Sequence, residues 1–357
     1  MSQPILEVDD LTIEFQTGES SITAVSDASF SIEQGEYMGL VGESGCGKST
    51  IAKALLGALD KNGRIVSGKI LYEGEEIQDF TEEEFNEKIR WKEIAMIPQA
   101  SMNSLDPIQP ISRKALEIAD AHTDLSKSEA LDRFKEAFEI VGLQPSRISE
   151  YSFQFSGGMR QRAIIALTLF LRPTIVIADE PTTALDVIMQ DQVLNYIKKI
   201  REETNSSMMM ITHDISVVFE TCDTMTVMHS GQVAETGPVT DLYDSPTHPY
   251  LMLLQDAFPD IRYPNRDLEV IDGYPPELTD KADFCTFVDR CPWAVDECSQ
   301  TAPRLESVTD RSVSGDGSDS THKVACIRKD EVPQLNEERK RQGRTTADGG
   351  SDEGDLP

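Results

Sequence analysis

Apolar and polar residues alternate along the beginning of the chain, over Ile5–Phe15 and again over Ser21–Ile32. Strict alternation places every second side chain on one face of a strand, so we predict two strands of an antiparallel sheet. Glu36–Val41 is a short strand that leads into a glycine-rich segment, and Ser49–Leu59 is apolar enough to form the helix after it. The pattern therefore predicts an edge sheet followed by a strand–loop–helix unit.

Further along, apolar runs with the length of core strands alternate with helical patterns. Helical spacing prevails from Ser101 to Ile148, most clearly in Leu125–Val141, and Val187–Thr204 is predicted as another helix. The strand-length apolar runs are Ile94–Pro98, Ile175–Asp179 and Ser207–Thr212. Strands that alternate with helices indicate an α/β fold with a mainly parallel sheet.

The character of the chain changes after Gly237-Pro238, where prolines become frequent and four of the six cysteines occur. We divide the sequence into a first domain at 1–245, with a helical subdomain at about 101–170, and a loop-rich extension at 246–330. Residues 331–357 are polar, with several acids near the end, so we predict a disordered tail there.

The chain is strongly acidic, with 63 Asp and Glu residues against 33 Lys and Arg residues and a net charge of −30. Phosphate binding draws on clustered basic residues, so this balance argues against nucleic acid as a partner. It also disfavours direct binding to anionic lipids. Acidic residues spread along the chain suit a cytoplasm with molar salt, which screens self-repulsion, so we favour a halophilic host over an ordinary acidic protein.

No secretion signal or membrane span is expected. The segment that begins at Met1 lacks the basic start and apolar core of a signal peptide, and no run approaches the ~20 apolar residues that cross a bilayer. The most apolar stretch, Ala163–Ala178, is interrupted by Arg172-Pro173. We therefore expect a soluble protein whose membrane role depends on its partners.

The glycine-rich segment at 42–50 reads Gly-Glu-Ser-Gly-Cys-Gly-Lys-Ser-Thr and has the form of a phosphate-binding loop. Its glycines let backbone N–H groups approach anionic oxygens, Lys48 supplies a charge to the β- and γ-phosphates, and the Ser49 hydroxyl ligates Mg²⁺. Cys46 fills a variable position and is given no redox role. The predicted nucleotide contacts are Gly42, Ser44, Gly45, Cys46, Gly47, Lys48, Ser49 and Thr50.

Four polar residues at or just beyond strand ends supply candidate catalytic groups. Asp179 ends an apolar strand, where a carboxylate holds Mg²⁺ directly or through water, and Glu180 beside it is the candidate general base for an attacking water. Gln99 follows another strand, and its amide can contact Mg²⁺ or the water. His213 closes a further core strand; alone it would be read as structural, but in this order it is predicted to sense the γ-phosphate.

Ser156-Gly157-Gly158 precedes a predicted helix and forms a second candidate anion site. Because the chain already has its own phosphate loop, we expect this site to act on the nucleotide of a partner. Phe15 is a candidate for stacking on adenine, and it is equally suited to be a core residue of its strand.

Together these residues resemble the ABC ATPase family over about residues 5–245, and Ala184-Leu185-Asp186 matches its D-loop. The resemblance implies a RecA-like core with an antiparallel β subdomain and a helical subdomain. It also implies that two subunits sandwich two ATP molecules, each between Gly42–Ser49 of one copy and Ser156–Gly158 of the other. The helical region would pass the motion to membrane subunits.

A closer resemblance is to the D-type ATPases of the oligopeptide/dipeptide/nickel importers. Met159 stands where the F-type partner of that family typically has glutamine; Pro98 and Asp106 depart from the usual phenylalanine and asparagine without removing a catalytic group. The three segments that carry the resemblance are Gln99–Pro107, Phe155–Arg162 and Ser245–Tyr250.

Four cysteines cluster in the extension: Cys285, Cys291, Cys298 and Cys326. Disulfides are not expected in an unsecreted chain, and four thiolates suit a soft metal or a cluster. The spacings are wider than those of structural zinc sites, so we favour an iron–sulfur cluster, [4Fe–4S] in some members of the family, over Zn²⁺ and over unligated thiols. Cys222 lies outside the set and is predicted to be an apolar core residue.

The leading hypothesis is the ATP-hydrolysing subunit of an importer on the cytoplasmic face of the membrane. The resemblance implies two permease subunits, an extracytoplasmic solute-binding protein, and a second ATPase as a homodimer or an F-type heterodimer. A soluble ABC ATPase of DNA repair or translation is the competing class, but the chain has neither a second cassette nor a long coiled-coil insert. An iron–sulfur assembly or redox-sensing ATPase is the third, and only the cysteines favour it.

Overall fold

The computed structural model describes residues 3–18, 20–99, 105–183, 187–257, 271–276, 279, 281–308 and 321–347. The strands are β1 (Leu6–Thr17), β2 (Ser20–Ile32), β3 (Tyr37–Val41), β4 (Gly63–Tyr72), β5 (Glu75–Glu76), β6 (Ile94–Ile97), β7 (Ile175–Asp179), β8 (Ser207–Thr212), β9 (Thr224–His229), β10 (Gln232–Pro238), β11 (Glu306–Ser307) and β12 (Lys323–Val324). The helices are α1 (Lys48–Leu55), α2 (Glu82–Glu84), α3 (Ile111–His122), α4 (Lys127–Ile140), α5 (Gly157–Leu169), α6 (Val187–Glu203), α7 (Ile215–Thr221), α8 (Val239–Asp244), α9 (Pro249–Asp256) and α10 (Val332–Ala347).

The first strands form an antiparallel sheet in the order β2–β1–β4–β5. The alternation over Ile5–Phe15 and Ser21–Ile32 therefore predicted its two leading strands correctly. Leu6, Leu11 and Ile13 of β1 are completely buried, because the side chains on one face pack into a core shared with α1.

The second sheet has the order β11–β12–β10–β9–β3–β8–β7–β6. Its strands from β9 to β6 run parallel, whereas β10, β11 and β12 pair antiparallel at the other edge. The predicted α/β class with a mainly parallel core is confirmed. Because carboxyl ends of parallel strands meet at one edge of a sheet, the segments after β3, β6, β7 and β8 lie together.

The helices α3, α4 and α5 share one buried apolar core, in which aromatic rings of α4 contact each other and Phe170, the residue that follows α5. The rings of Phe134 and Phe138 lie 4.7 Å apart and those of Phe134 and Phe170 lie 5.7 Å apart, both edge to face. Ser126 and Glu129 form a capping box at the start of α4, which explains why this helix begins at Lys127. Within the described residues, no helix combines the length and apolar character needed to cross a bilayer.

The end of the chain differs from the prediction. Disorder was predicted for 331–357, but α10 covers Val332–Ala347, and 348–357 lie outside the described residues. The helix forms because it has tertiary contacts: Val332 is only 1% exposed, and Arg339 forms an ion pair with the buried Asp256. The polar composition of the segment hides these few anchoring positions.

The predicted helix Ser49–Leu59 is also shorter than expected, because α1 ends at Leu55. Gly57 follows with φ of +58°, a conformation that stops a helix and that glycine adopts without strain.

Candidate nucleotide-binding site

The loop between β3 and α1 is shaped by two glycines at points of close backbone approach. A Cβ atom on Gly42 would lie 2.2 Å from the carbonyl oxygen of Met228, and one on Gly47 would lie 2.5 Å from that of Ala24. Gly47 also has φ of +101°, which other residues rarely adopt. The loop can therefore wrap this tightly only with glycine at both positions.

Lys48 lies at the start of α1 and is only 6% exposed. Its Nζ donates hydrogen bonds to the carbonyl oxygens of Gly42, at 2.7 Å, and Glu43, at 2.8 Å. These bonds keep the ammonium group inside the curve of the loop. A buried cation held by carbonyl dipoles remains available to an anionic ligand such as a phosphate.

Asp179 ends β7 and is 4% exposed. Burial raises the pKa of its carboxyl above the usual value, although a hydrogen bond with Ser49 and the charge of Lys48 oppose this shift. Its Oδ1 is buried without a hydrogen-bond partner. An unsatisfied carboxylate oxygen beside a serine hydroxyl is a donor set that fits Mg²⁺, which binds hard oxygen ligands.

Glu180 receives three side-chain hydrogen bonds: 2.7 Å from Nε2 of Gln99, 2.8 Å from Oγ1 of Thr183 and 3.2 Å from Nδ1 of His213. Burial by itself would raise the pKa of this carboxyl, but the hydrogen bonds outweigh it and hold the pKa below its usual value. The group is therefore an ionised carboxylate at neutral pH. Glu180 also has φ of +46°, a strained conformation that points to a functional position.

Several of these groups line one cleft of about 460 Å³, whereas Lys48, Ser49 and Asp179 are not among its lining residues. Residues of the phosphate loop line this cleft together with Glu180 and two of its hydrogen-bond partners, Gln99 and His213. The lining residues are Gly42, Glu43, Ser44, Gln99, Glu180, His213 and Leu254. The structure thus brings together residues from the ends of β3, β6, β7 and β8, as expected for this edge of the sheet.

Other predicted site residues lie elsewhere. Ser156 caps α5, where its hydroxyl accepts a 3.4 Å hydrogen bond from the N–H of Met159, and the Ser156–Gly158 segment does not line the cleft. Phe15 does not line it either: this side chain is half-buried and packs beside Gly63 in the antiparallel sheet. Asp186 lies outside the described residues.

Within the phosphate loop, Cys46 is only 2% exposed and belongs to the core. Burial raises the pKa of its thiol, so the group is a neutral packing residue. Gly45 has φ of +82°, and a Cβ atom added there would meet no other atom within 4 Å. Thr50 is a half-buried residue of α1.

Three residues of the site were not predicted from the sequence. Thr183 bonds to Glu180 across a tight turn, and its spacing of three residues is a local signal that could have been used. Tyr250 and Arg290 both contact Glu43, the second residue of the loop, from 207 and 247 positions away. No sequence pattern indicates contacts at such separations.

The four cysteines of the extension line one small cavity of about 20 Å³, together with apolar side chains such as Phe287 and Trp293. All are free thiols. Among the described residues, no group of three or more His, Cys, Asp or Glu side chains is arranged so that it could hold a metal ion. In the described part of the chain, the four cysteines are therefore not arranged as ligands of the predicted iron–sulfur cluster or of the alternative Zn²⁺.

Burial is the main influence on three of these thiols: it raises the pKa of Cys285, raises that of Cys291 to about 12 and raises that of Cys326 to about 11. Cys222, outside the set, is half-buried, and burial likewise raises its pKa to about 12.

Comparison with protein families gives two matches. The family described as ABC transporter matches residues 25–183, and the family described as oligopeptide/dipeptide transporter, C-terminal region, matches residues 234–298. Together they cover the phosphate loop, the candidate catalytic carboxylates and the beginning of the cysteine segment.

Curated relatives are similar over most of their length. The oligopeptide transport ATP-binding protein OppD of Escherichia coli K12 is 41% identical over 85% of this chain and 90% of its own length. The dipeptide transport ATP-binding protein DppD of the same organism is 36% identical over 86% of this chain and 94% of its own length. The oligopeptide transport ATP-binding protein AppD of Bacillus subtilis 168 is 40% identical over 84% and 92%.

Solved structures agree on the fold. The ATP-binding cassette MJ0796, in a dimeric post-hydrolysis state bound to ADP and Pi, is 26% identical, covers 66% of this chain and 98% of its own, and has a TM-score of 0.57. CbiO1 of Clostridium perfringens, part of the ABC transporter complex cbiONQ, is 24% identical and has a TM-score of 0.59. The match covers 68% of this chain and 92% of the CbiO1 chain.

Proposed function

The chain belongs to the family of ATP-binding subunits of oligopeptide and dipeptide ABC transporters, and we propose that it hydrolyses ATP to drive import of peptides or a related small solute. The observation that carries the proposal is the cleft that Glu180, held by three hydrogen-bond donors, lines together with the phosphate loop. A binding module without hydrolysis has no need of an ionised carboxylate positioned in this way.

In the proposed mechanism, the loop N–H groups and Lys48 bind the phosphates of ATP. Ser49 and Asp179 would hold Mg²⁺, which supplies charge neutralisation at the transferring phosphoryl group. Glu180 accepts the proton of the attacking water, and Gln99 and His213 orient that carboxylate and the water. Catalysis of this kind depends mainly on positioning and electrostatics.

We further propose that Ser156–Gly158 completes the site of a second ATPase subunit. Its position at the N-terminus of α5, away from the cleft, supports an action in trans, because helix N-termini bind anions. The dimeric state of the cassette MJ0796 supports the same arrangement. The partners would be a like or F-type ATPase, two permease subunits on whose cytoplasmic face the chain docks, and an extracytoplasmic binding protein.

A direct test is copurification from gently solubilised membranes of the native host, with ATP and the Glu180→Gln variant to hold the closed state. Two multi-span subunits and a second ATPase, identified by mass spectrometry, are the expected result. Recovery without any permease would overturn the importer and favour a soluble ABC ATPase.

For the extension, we propose that Cys285, Cys291, Cys298 and Cys326 hold an iron–sulfur cluster of the [4Fe–4S] type. The shared cavity supports this proposal, because it brings together four cysteine side chains, the ligand type that such clusters use. Ligands drawn from 285–326 would cross-link a loop-rich segment that has little core of its own.

The test is anaerobic purification followed by iron, acid-labile sulfide and zinc analysis. We expect iron and sulfide in near-equal amounts and their loss in Cys298→Ser, with Cys222→Ser as a matched control that retains them. Zinc without sulfide would replace the cluster by a zinc site, and absence of both would show unligated thiols.

A further inference from the structure

Glu43, the second residue of the phosphate loop, is held by three separate contacts. Its carboxylate accepts two hydrogen bonds of 2.7 Å from the guanidinium of Arg290. Its backbone N–H donates to the hydroxyl of Tyr250 at 3.1 Å, and its carbonyl accepts from Lys48 at 2.8 Å. The loop is thus tied through one residue both to its own lysine and to the extension.

The side chain of Arg290 is held in place by further contacts besides its ion pair with Glu43. Its side chain is 5% exposed, and its Nε donates to the carbonyl of Asp272 at 3.0 Å. One terminal nitrogen also lies 3.4 Å from Nε2 of His229. Burial, followed by the charge of Arg290, lowers the pKa of His229 to about 3, so this ring is neutral and does not repel the guanidinium. A bidentate ion pair with these additional contacts fixes the orientation of the Arg290 guanidinium and its distance from the Glu43 carboxylate.

The backbone that carries Arg290 belongs to the cysteine loop, defined here as Cys285–Cys291. Successive turns link its two thiol residues: the N–H of Val288 donates to the carbonyl of Cys285 at 3.0 Å, and the N–H of Cys291 donates to that of Val288 at 3.3 Å. Arg290 precedes Cys291 directly, so we expect a rearrangement of the cysteine loop to shift the backbone that carries the guanidinium.

We propose that Arg290 is a positioning residue for nucleotide binding, which holds the phosphate loop through Glu43 and transmits the state of the cysteine loop to the affinity for ATP. The inference rests on the proposed ATPase function. A loop already fixed in its binding shape pays less conformational entropy when it closes on phosphates. By reciprocity, bound ATP should stabilise the cysteine loop by the same factor.

The first test compares Arg290→Gln and Arg290→Lys with Lys281→Gln in the full chain. Lys281 also joins the extension to the core, through an exposed ion pair with Asp27, but it does not contact the phosphate loop. We expect Arg290→Gln to raise both the Kd for a fluorescent ATP analogue and the KM for ATP by at least about fivefold, the lower end of coupling between sites. The kcat should stay within about twofold, because the catalytic carboxylate is untouched.

Arg290→Lys should fall between the parent and Arg290→Gln, because lysine keeps the charge but loses the bidentate geometry. Glu43→Gln breaks the same pair from its more exposed side, and the double variant should lose no more affinity than either single variant. An unchanged Kd in Arg290→Gln and Glu43→Gln, or additive losses, would overturn the inference. A parent chain that binds no ATP would overturn the proposed function itself.

The second test addresses transmission from the cysteines. The side chain of Cys298 is buried and lines the same cavity as Cys285 and Cys291, so Cys298→Ser should disturb the cysteine loop without touching Arg290 directly. We expect Cys298→Ser to weaken ATP-analogue binding about fivefold in the parent and to add nothing in the Arg290→Gln background. Cys222→Ser should have no effect. An equal effect of Cys298→Ser in both backgrounds, or none in the parent, would overturn transmission through Arg290.

Discussion

The amide of Gln99 donates a 2.7 Å hydrogen bond to the carboxylate of Glu180, although 81 residues separate the two along the chain. They meet because β6 and β7 are neighbouring parallel strands that end at the same edge of the sheet. A neutral donor in this place stabilises the ionised carboxylate without adding a charge. The pair therefore connects the segment after β6 to the candidate general base.

Replacement of Glu180 by glutamine should abolish hydrolysis while ATP binding is retained. A glutamine keeps the shape of the side chain but cannot accept the proton of water, so kcat should fall at least about 100-fold. Phosphate release and ATP-analogue binding are the measurements. Glu220→Gln, at an exposed ion pair with Lys198, is the control and should match the parent. Residual activity near that of the parent would assign the base elsewhere.

Replacement of Thr183 by valine should shift the acid limb of the pH–activity profile to higher pH. The pKa of Glu180 is now held low, and Thr183 is the strongest of its hydrogen-bond donors in this respect, so removal of the hydroxyl raises that pKa. The base is then protonated at a higher pH than in the parent. The profile of kcat/KM against pH measures the shift, with Thr204→Val, directly after the end of α6, as control. A shift to lower pH would contradict the assignment.

Replacement of Asp179 by asparagine should weaken the binding of Mg²⁺. The change leaves the volume unaltered but removes the negative charge beside Ser49, so we expect at least a tenfold (~1.4 kcal/mol) rise in the Mg²⁺ concentration for half-maximal activity. A Mg²⁺ titration at saturating ATP measures it. An unchanged midpoint would mean that Asp179 is not part of the metal site.

Replacement of Glu235 by alanine should strongly destabilise the fold. This fully buried carboxylate accepts hydrogen bonds from the N–H groups of Thr247 and His248 and lies 2.7 Å from Nε2 of His322. Removal strands these partners in the interior, so the free energy of unfolding should fall by about 3–5 kcal/mol. Denaturant titration measures it, and the exposed Glu203→Ala should change it by less than about 0.5 kcal/mol.

If the charge of −30 reflects a host with high internal salt, stability should rise with KCl. Between 0.1 and 1 M salt the Debye length falls from about 10 to about 3 Å, which screens repulsion among the excess carboxylates. We expect the Tm to increase steadily over this range. Choline chloride at equal ionic strength separates general screening from a specific effect of potassium, and a flat or falling Tm would contradict the halophile hypothesis.

The sequence by itself determined the class of fold and the local chemistry of the site. The glycines of 42–47, Lys48 and the Asp179-Glu180 pair are recognisable because each function depends on neighbouring residues and on a strand or helix with its own hydrophobic period. The order of motifs also made Gln99 and His213 candidates for the site, but their hydrogen bonds to Glu180 came from the structure. Such short-range rules work without knowledge of packing.

Tertiary structure alone decided the contacts that join distant segments. The pairing of Glu43 with Arg290 spans 247 positions, and the helix α10 forms where composition indicated disorder. In both cases the stabilising partner comes from packing, and no periodicity or spacing encodes it. A buried Arg side chain must find an anion and a polar helix must find an anchor, but which ones they find depends on how the whole chain folds.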